Sequence, residues 1–225
     1  GGESTRPGAQ RISVDEECSR VIPVVTALAE HGVFVSIDTM RSDVAVAALE
    51  AGAGLVNDIS GGKSDPLMLS LMAERNEPYV LMHWRGPSDI MQTLTTYDDV
   101  AHDVAREIAL QVDAAVEVGV ARNRIAIDPG IGFAKTPDQN WPILRDLERL
   151  DDLGLPVLWW VSRKRFIGEL LADDAGELRD MPGREAATTA LTTYLALAGA
   201  WCVRVHEART SRDAVDVVAR LSEGL

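Results

Sequence analysis

Polar and charged side chains follow the short apolar segments of this chain, each at the point where the segment ends. These positions are Asp38-Thr39, Asn57-Asp58, His83, Asp128, Ser162 to Lys164, and Arg204 with His206. A carboxylate can accept two parallel N–H bonds, and an arginine fork fits phosphate oxygens. Arg204 and His206 are two residues apart and therefore share one face of a strand. Working residues at the ends of several strands are typical of a β/α barrel.

The elements that must position these residues alternate along the chain. The sequence predicts strands over 33–39, 54–59, 78–84, 124–130, 155–164 and 200–207, and helices over 41–52, 65–76, 96–119, 183–199 and 211–221. Short apolar strands with helices between them indicate a parallel sheet, either covered on both faces or closed into a barrel. Polar ends on every strand, and the lack of a GxGxxG or Walker A loop, favour the barrel. We predict one α/β domain over 1–225, a TIM (β/α)8 barrel with about six of its eight strands in this chain.

Composition limits the classes of partner. The 225 residues carry a formal net charge of −13, which argues against nucleic acid or an anionic membrane as a partner. Cys18 and Cys202 form neither a CxxC motif nor a disulfide framework, so we expect a reducing, cytoplasmic location. No stretch of 18 uninterrupted apolar residues occurs, so we expect no membrane span.

Seven ordered motifs resemble one enzyme family. They are GGESTRPGA, SIDT, NDISGG, VLMHWRG, IAIDPGIGFAKT, VSRKRFIG and VRVHEAR, and together they extend over essentially the whole chain. In order and spacing they resemble dihydropteroate synthase, especially its actinobacterial forms. The resemblance implies a pterin-binding TIM barrel in folate biosynthesis that joins p-aminobenzoate to 6-hydroxymethyl-7,8-dihydropterin pyrophosphate. It also implies release of pyrophosphate, use of Mg²⁺, sensitivity to sulfonamides as inhibitors and a homodimer built from late barrel helices.

The resemblance also assigns roles to single residues. On the pterin side, Asp128 accepts the amino-pyrimidine edge, Asn57 and Asp38 hold other ring nitrogens, and Lys164 reaches the ring carbonyl. Arg204 and His206 are the candidates for binding the pyrophosphate as it leaves, and with Lys164 they form the expected catalytic set.

The second substrate implies a further set of residues. Thr5 and Arg6 in the opening loop resemble a mobile loop that helps to close over p-aminobenzoate and the leaving group. Phe133 and Lys135 resemble the lining of the same subsite. His83 and Asp58 lie at strand ends without a comparable assignment; we expect His83 to be structural and leave Asp58 open between a turn residue and a ligand.

The chain departs from the family pattern in two important ways. We expect the first two strands, the first helix and the first loop of the barrel to be absent from this chain, and that loop bears the family's asparagine ligand for Mg²⁺. No metal site is therefore expected within these residues. Trp160 stands where the family usually has glycine; alternation along the strand directs it into the barrel, where it either fills space or blocks the pterin pocket.

Two other functions compete with the synthase. The chain could be a catalytically silent pterin-binding paralogue or fragment, which a turnover assay with both substrates distinguishes. It could also be a methyltetrahydrofolate-dependent methyltransferase on the same barrel. The SRKR and RVH elements argue against methyl transfer, because that reaction has no pyrophosphate to hold.

Overall fold

A computed structural model describes residues 2–3 and 11–223 of the chain. The predicted site residues Thr5 and Arg6 lie outside the described residues. Six strands are present: β1 (Ser36–Asp38), β2 (Leu55–Asp58), β3 (Tyr79–Met82), β4 (Ile125–Asp128), β5 (Leu158–Trp159) and β6 (Cys202–Val203). The helices of at least four residues are α1 (Val14–Glu30), α2 (Ser42–Glu50), α3 (Met68–Glu74), α4 (Val100–Val118), α5 (Asn140–Arg145), α6 (Glu148–Asp151), α7 (Arg165–Leu170), α8 (Glu185–Leu197) and α9 (Ala208–Ser222).

The strands are parallel and neighbour one another in chain order. β1 to β4 form one four-stranded sheet, β5 and β6 form a two-stranded sheet, and a single bridge between Ile127 and Val157 joins the two. Within the described residues β1 and β6 are not paired with each other, although an ion pair between Arg204 and Asp38 links their carboxyl ends. Six consecutive parallel strands with helices between them form the wall of a β/α barrel, as the sequence predicted.

Side-chain alternation divides the apolar residues between two faces of this wall. The outward-facing residues Val56, Tyr79, Leu81, Ile125 and Ile127 pack against the surrounding helices in the main core. The inward-facing residues Leu55, Val80, Ala126 and Leu158 form a separate interior layer, one from each of four strands. A period of two along each strand produces this division, and it fixes which polar residues at the strand ends point into the barrel.

Capping residues determine both ends of α4, the longest described helix. Asp99 caps α4 by accepting the backbone N–H of His102 at 3.1 Å, and Gly119 ends the helix in the left-handed region at φ 115°. No described helix is both long enough and apolar enough to cross a membrane. The sequence patterns did not predict α5, α6 and α7, which have only four to six residues each.

Candidate active site

Six strands each contribute one inward-pointing side chain to a ring at the carboxyl end of the barrel. The pairing of Asp38 with Asn57 and of Met82 with Asp128 places these four on the same face. Trp160 and Arg204 follow in the same alternation, two residues after Leu158 and Cys202, which pair with each other. The ring is Asp38, Asn57, Met82, Asp128, Trp160 and Arg204, so four of the predicted site residues and Trp160 are brought together as alternation required.

Asn57 and Asp128 provide acceptors on the four-stranded sheet. Both side chains are buried, and the Oδ1 atom of Asn57 has no hydrogen-bond partner among the described residues. Asp128 accepts the backbone N–H of Gly130 at 2.7 Å. Burial raises the pKa of Asp128, while the positive charges of Lys164 and Lys135 act in the opposite direction. A buried acceptor without a donor is costly, so Asn57 is poised for an N–H donor of a ligand.

The loop after β4 is held in a strained, compact shape. Gly130 has φ 65°, and a Cβ atom there would lie 2.7 Å from the carbonyl oxygen of His83. Ala134, between Phe133 and Lys135, also adopts a positive φ of 49°. Such a conformation costs a non-glycine residue about 1 kcal/mol and persists where surrounding contacts enforce it. This shape turns the chain back over the end of β4, directly beside Asp128.

Lys135 makes several of the contacts that hold this loop in shape. Its ammonium is buried and donates to the carbonyl oxygens of Pro129, Gly130 and Phe133 at 2.9–3.1 Å. Burial lowers its pKa to about 7. The resemblance placed Lys135 in the lining of the second subsite; the structure places its charged end beneath the loop, where it supports Phe133 from behind.

A buried chain of polar groups continues behind Lys135. His83 Nδ1 lies 3.2 Å from Lys135 Nζ, and His83 Nε2 lies 2.9 Å from Glu107 Oε2 on α4. Burial, with the charge of Lys135, lowers the pKa of His83 from 6.5 to about 3, so the imidazole is neutral. His83 is therefore structural, as expected. The sequence analysis did not identify Glu107, because helical periodicity alone does not show which residue 24 positions away meets His83.

The cationic side of the site is built around Trp160. The Lys164 ammonium lies 3.4 Å from the Trp160 ring centre, and the Arg204 guanidinium carbon lies 3.8 Å from it. Phe133 completes the group, at 4.2 Å from Lys164 Nζ and with its ring centre 5.7 Å from that of Trp160. Burial lowers the pKa of Lys164, which the nearby carboxylate of Asp128 partly offsets. Trp160 thus contacts both predicted ligand-binding cations.

Arg204 and His206 differ in exposure and in their contacts: Arg204 is half-buried and His206 is exposed. Arg204 Nη2 pairs with Asp38 Oδ2 at 2.8 Å, whereas its Nη1 is buried and has no hydrogen-bond partner in the part of the chain that the structure describes. His206 is exposed; its Nδ1 lies 2.9 Å from Ser162 Oγ, which also accepts the His206 backbone N–H at 3.2 Å. Partial burial and nearby arginines lower the pKa of His206, so the ring is neutral near pH 7.

Arg163 shapes the turn between Ser162 and Lys164. It adopts a positive φ of 59°, and its side chain pairs with Glu185 on α8. The carbonyl oxygen of Arg163 accepts a hydrogen bond from Arg184 at 2.8 Å. These contacts hold a conformation that is unfavourable for arginine, and the turn directs Lys164 back towards Trp160.

Asp58, whose role the sequence left open, points away from the site. It is fully buried and accepts hydrogen bonds from the backbone N–H and hydroxyl of Ser60, the N–H of Gly62 and the hydroxyl of Tyr79, all at 2.7–2.8 Å. Its acceptor capacity is used by the protein. Asp58 therefore fixes the loop after β2.

A cavity of about 280 Å³ lies above the ring. Met40, Ile59, Met91 and Phe133 are among the side chains that line it. Of the described residues, Asn57, Asp128, Lys164 and Arg204 are not part of its lining. Residues 2–3 and 11–223 include no group of three or more His, Cys, Asp or Glu side chains that could hold a metal ion.

Comparison with known proteins gives a consistent result. Residues 1–206 match the family model described as "Pterin binding enzyme". Dihydropteroate synthase of Mycobacterium leprae is 50% identical over 219 residues, which cover 97% of this chain and 77% of that protein. The fold matches a Yersinia pestis dihydropteroate synthase in a sulfonamide drug complex, with TM-score 0.91, 35% identity, and coverage of 99% and 79% of the two chains. It also matches the Xanthomonas albilineans enzyme with 4-aminobenzoic acid, with TM-score 0.89, 38% identity, and coverage of 100% and 78%.

Proposed function

The chain belongs to the pterin-binding enzyme family, among its dihydropteroate synthases, and on that premise we propose how its residues serve the reaction. The amine of p-aminobenzoate attacks the methylene carbon of 6-hydroxymethyl-7,8-dihydropterin pyrophosphate. A C–N bond forms, the C–O bond to pyrophosphate breaks, and the amine loses a proton. The protein's task is to bind and align the two substrates and to stabilise the charge of the leaving pyrophosphate.

The buried, unpartnered acceptor of Asn57 is the observation that best supports this function. A pterin ring carries N–H donors along its pyrimidine edge, and Asn57 Oδ1 and the Asp128 carboxylate lie in one ring of inward-pointing side chains. A ligand that donates to both removes the cost of the unpaired acceptor. Ring nitrogens are therefore assigned to Asn57 and Asp128, with Asp38 adjacent to Asn57.

Arg204 and His206 are assigned to the pyrophosphate end of the pterin substrate. Arg204 has an unpartnered Nη1 and His206 lies at the open rim, so both can donate to oxygens of the pyrophosphate. Lys164 lies between them and the pterin site and is assigned to the ring carbonyl. The 280 Å³ cavity beside Phe133 is assigned to p-aminobenzoate. Thr5 and Arg6 are assigned to the same substrate by the family resemblance alone.

Use of Mg²⁺ belongs to the proposal as well. The described side chains do not form a metal site by themselves. A magnesium ion is usually bound by one or two carboxylates and by substrate phosphates, so the pyrophosphate is the expected source of most ligands. Titration of Mg²⁺ against substrate affinity and against turnover tests this part separately.

A homodimer in the cytoplasm completes the proposal. Leu197 on α8 and Val217 and Leu221 on α9 are exposed apolar side chains on two helices that pack together. An exposed apolar face of this kind suits association with a second copy of the chain. Both cysteines are free thiols, in keeping with a reducing compartment. Light scattering of the purified chain tests the dimer.

The decisive experiment measures pyrophosphate release when the chain is mixed with both substrates. We expect release only when both are present. Asn57→Leu removes an unpartnered acceptor at similar volume, so we expect unchanged or increased stability to urea but loss of pterin binding. Asn140→Leu is the matched control, because Asn140 accepts from Gly132 N–H at 2.7 Å and its loss should destabilise the fold. Binding of the pterin substrate without release would favour the silent pterin-binding alternative.

A further inference from the structure

Trp160 lies inside the proposed pterin site instead of at its edge. Its indole packs against the interior layer of Leu55, Val80, Ala126 and Leu158 on one side. On the other side it packs against the upper cluster that contains Ile59, Met82 and Phe133. The indole therefore lies inside the barrel, between the interior layer and the cluster at the carboxyl end of the strands.

The indole also engages the groups that a planar ligand needs. Lys164 Nζ and the Arg204 guanidinium lie 3.4 and 3.8 Å from its ring centre, both within the range of strong cation–π contacts. Phe133 adds a tilted aromatic contact. A planar aromatic ring held by two cations beside a buried carboxylate is the arrangement expected for a bound heterocycle. Here a side chain of the protein itself provides the ring.

Two cavities near this site have different linings. The 280 Å³ cavity includes Phe133 in its lining but, among the described residues, none of Asn57, Asp128, Lys164 or Arg204. A smaller pocket of about 10 Å³ reaches Asp38 beside Thr39 and Met40.

We propose that Trp160 is an intramolecular occupant of the pterin site that the pterin substrate must displace before it binds. This inference rests on the proposed function. Only the fraction of molecules with the indole displaced is competent to bind, so the apparent affinity is reduced by that fraction. Trp160 thereby lowers the apparent affinity of any ligand that must compete with the indole for Lys164 and Arg204.

Calorimetry with 6-hydroxymethyl-7,8-dihydropterin pyrophosphate tests the proposal on the wild type, Trp160→Gly and Phe34→Gly. Phe34 is an exposed aromatic residue before β1, at the opposite end of the barrel, and serves as the matched control. We expect Trp160→Gly to bind at least tenfold more tightly than the wild type, with Phe34→Gly unchanged. If the wild type and Trp160→Gly bind the pterin substrate with affinities within twofold of each other, Trp160 does not occupy the site. The proposed function would then stand unchanged. If none of the three proteins binds the pterin substrate, both the proposed function and the proposal that Trp160 occupies the site are wrong.

Free indole provides a second test of the same space. Indole should bind Trp160→Gly and compete with the pterin substrate, but it should not bind Phe34→Gly detectably at the same concentration. Binding of indole without competition would show that the Trp160 space and the pterin site are separate, and the proposal would be wrong.

Fluorine NMR avoids dependence on the stability of the glycine variant. The wild type labelled with 5-fluorotryptophan has five tryptophans, and comparison with Trp160→Phe assigns the resonance of Trp160. Saturation with the pterin substrate should shift this resonance more than the other four. A Trp160 resonance that does not move on saturation would refute displacement.

Discussion

The four-stranded sheet β1–β4 and the two-stranded sheet β5–β6 both contribute to the active site, but they hold their residues differently. Every residue of β2, β3 and β4 is buried, and the acceptors Asn57 and Asp128 belong to these strands. Both residues of β6 are half-buried, and Arg204 follows the strand instead of lying in it. The acceptors lie within strands that are paired on both sides. Arg204 has one such pairing, from its backbone N–H to the carbonyl oxygen of Trp159 at 2.9 Å, and its side chain is held by Trp160 and Asp38. We therefore expect substitutions of residues that bond within the protein to cost more stability in the four-stranded sheet than in the two-stranded sheet. The inward-facing residues Asn57, Asp128 and Arg204 should respond mainly in binding.

The largest expected effect is on stability in the four-stranded sheet. Asp58→Ala removes the acceptor of four buried hydrogen bonds, and we expect a loss of about 3–4 kcal/mol in the free energy of unfolding. Urea denaturation measures it. Ser162→Ala in the other half is the comparison, with an expected loss of about 1 kcal/mol. Similar losses in both halves would contradict the difference between the sheets.

Asp128→Asn should separate binding from stability. The amide replaces an acceptor with a donor towards the pterin N–H groups, so we expect about 100-fold weaker binding of the pterin substrate, or about 3 kcal/mol. Because burial raises the pKa of Asp128, the charged form is disfavoured in the fold, and the neutral asparagine should leave stability unchanged or increased. Calorimetry and urea denaturation measure the two effects. The exposed Asp152→Asn is the control and should change neither.

Arg204→Ala tests the cationic half. We expect the pterin pyrophosphate to bind about tenfold to thirtyfold more weakly, since a hydrogen bond to a charged group contributes about 1.5–2 kcal/mol. The product 7,8-dihydropteroate has no pyrophosphate and should lose much less. Calorimetry with both ligands makes the comparison, and an equal loss for the two would contradict the assignment of Arg204 to the pyrophosphate.

The smallest expected effect is the pH dependence of the buried chain behind Lys135. The folded pKa of His83 is lowered to about 3, so the unfolded chain binds this proton more readily below pH 6.5. Stability is therefore full above pH 6.5 and falls as the pH drops towards 3. Between pH 7.5 and 5.5 the wild type should lose about 1.4 kcal/mol through this group. Urea denaturation across that range should show a flatter profile for His83→Gln, with the exposed His102→Gln following the wild type.

Strand positions and inward direction were predictable from the sequence. All six predicted strands are present but shorter than predicted. Only two residues are strand in each of the predicted ranges 155–164 and 200–207. Alternation placed Trp160 inside the barrel and Arg204 on the same inner face, because a period of two holds wherever a strand is buried on both sides. The sequence analysis gave no range for helix α1, which has 17 residues. Helices α5 to α7 were not predicted either, since segments of four to six residues are too short to establish a helical period.

The role of each polar side chain at these positions was less predictable. Asn57 and Asp58 are neighbours at one strand end, yet one points inward with an unpartnered acceptor and the other points outward to Tyr79. Alternation separates them, but only the packing of β3 shows that Tyr79 meets Asp58. Lys135 was expected in the lining of the second subsite, and its ammonium instead donates to three carbonyls of its own loop.

The sequence alone determined the family, the order of strands and helices, and which strand-end residues share the inner face. These follow from local periodicity and from motifs that are contiguous in the chain. The tertiary structure alone decided that Glu107 supports His83 and Lys135, and that Trp160 lies between Lys164 and Arg204. Such contacts join residues up to 52 positions apart. They depend on helix rotation, turn shape and side-chain rotamers, which no local pattern specifies.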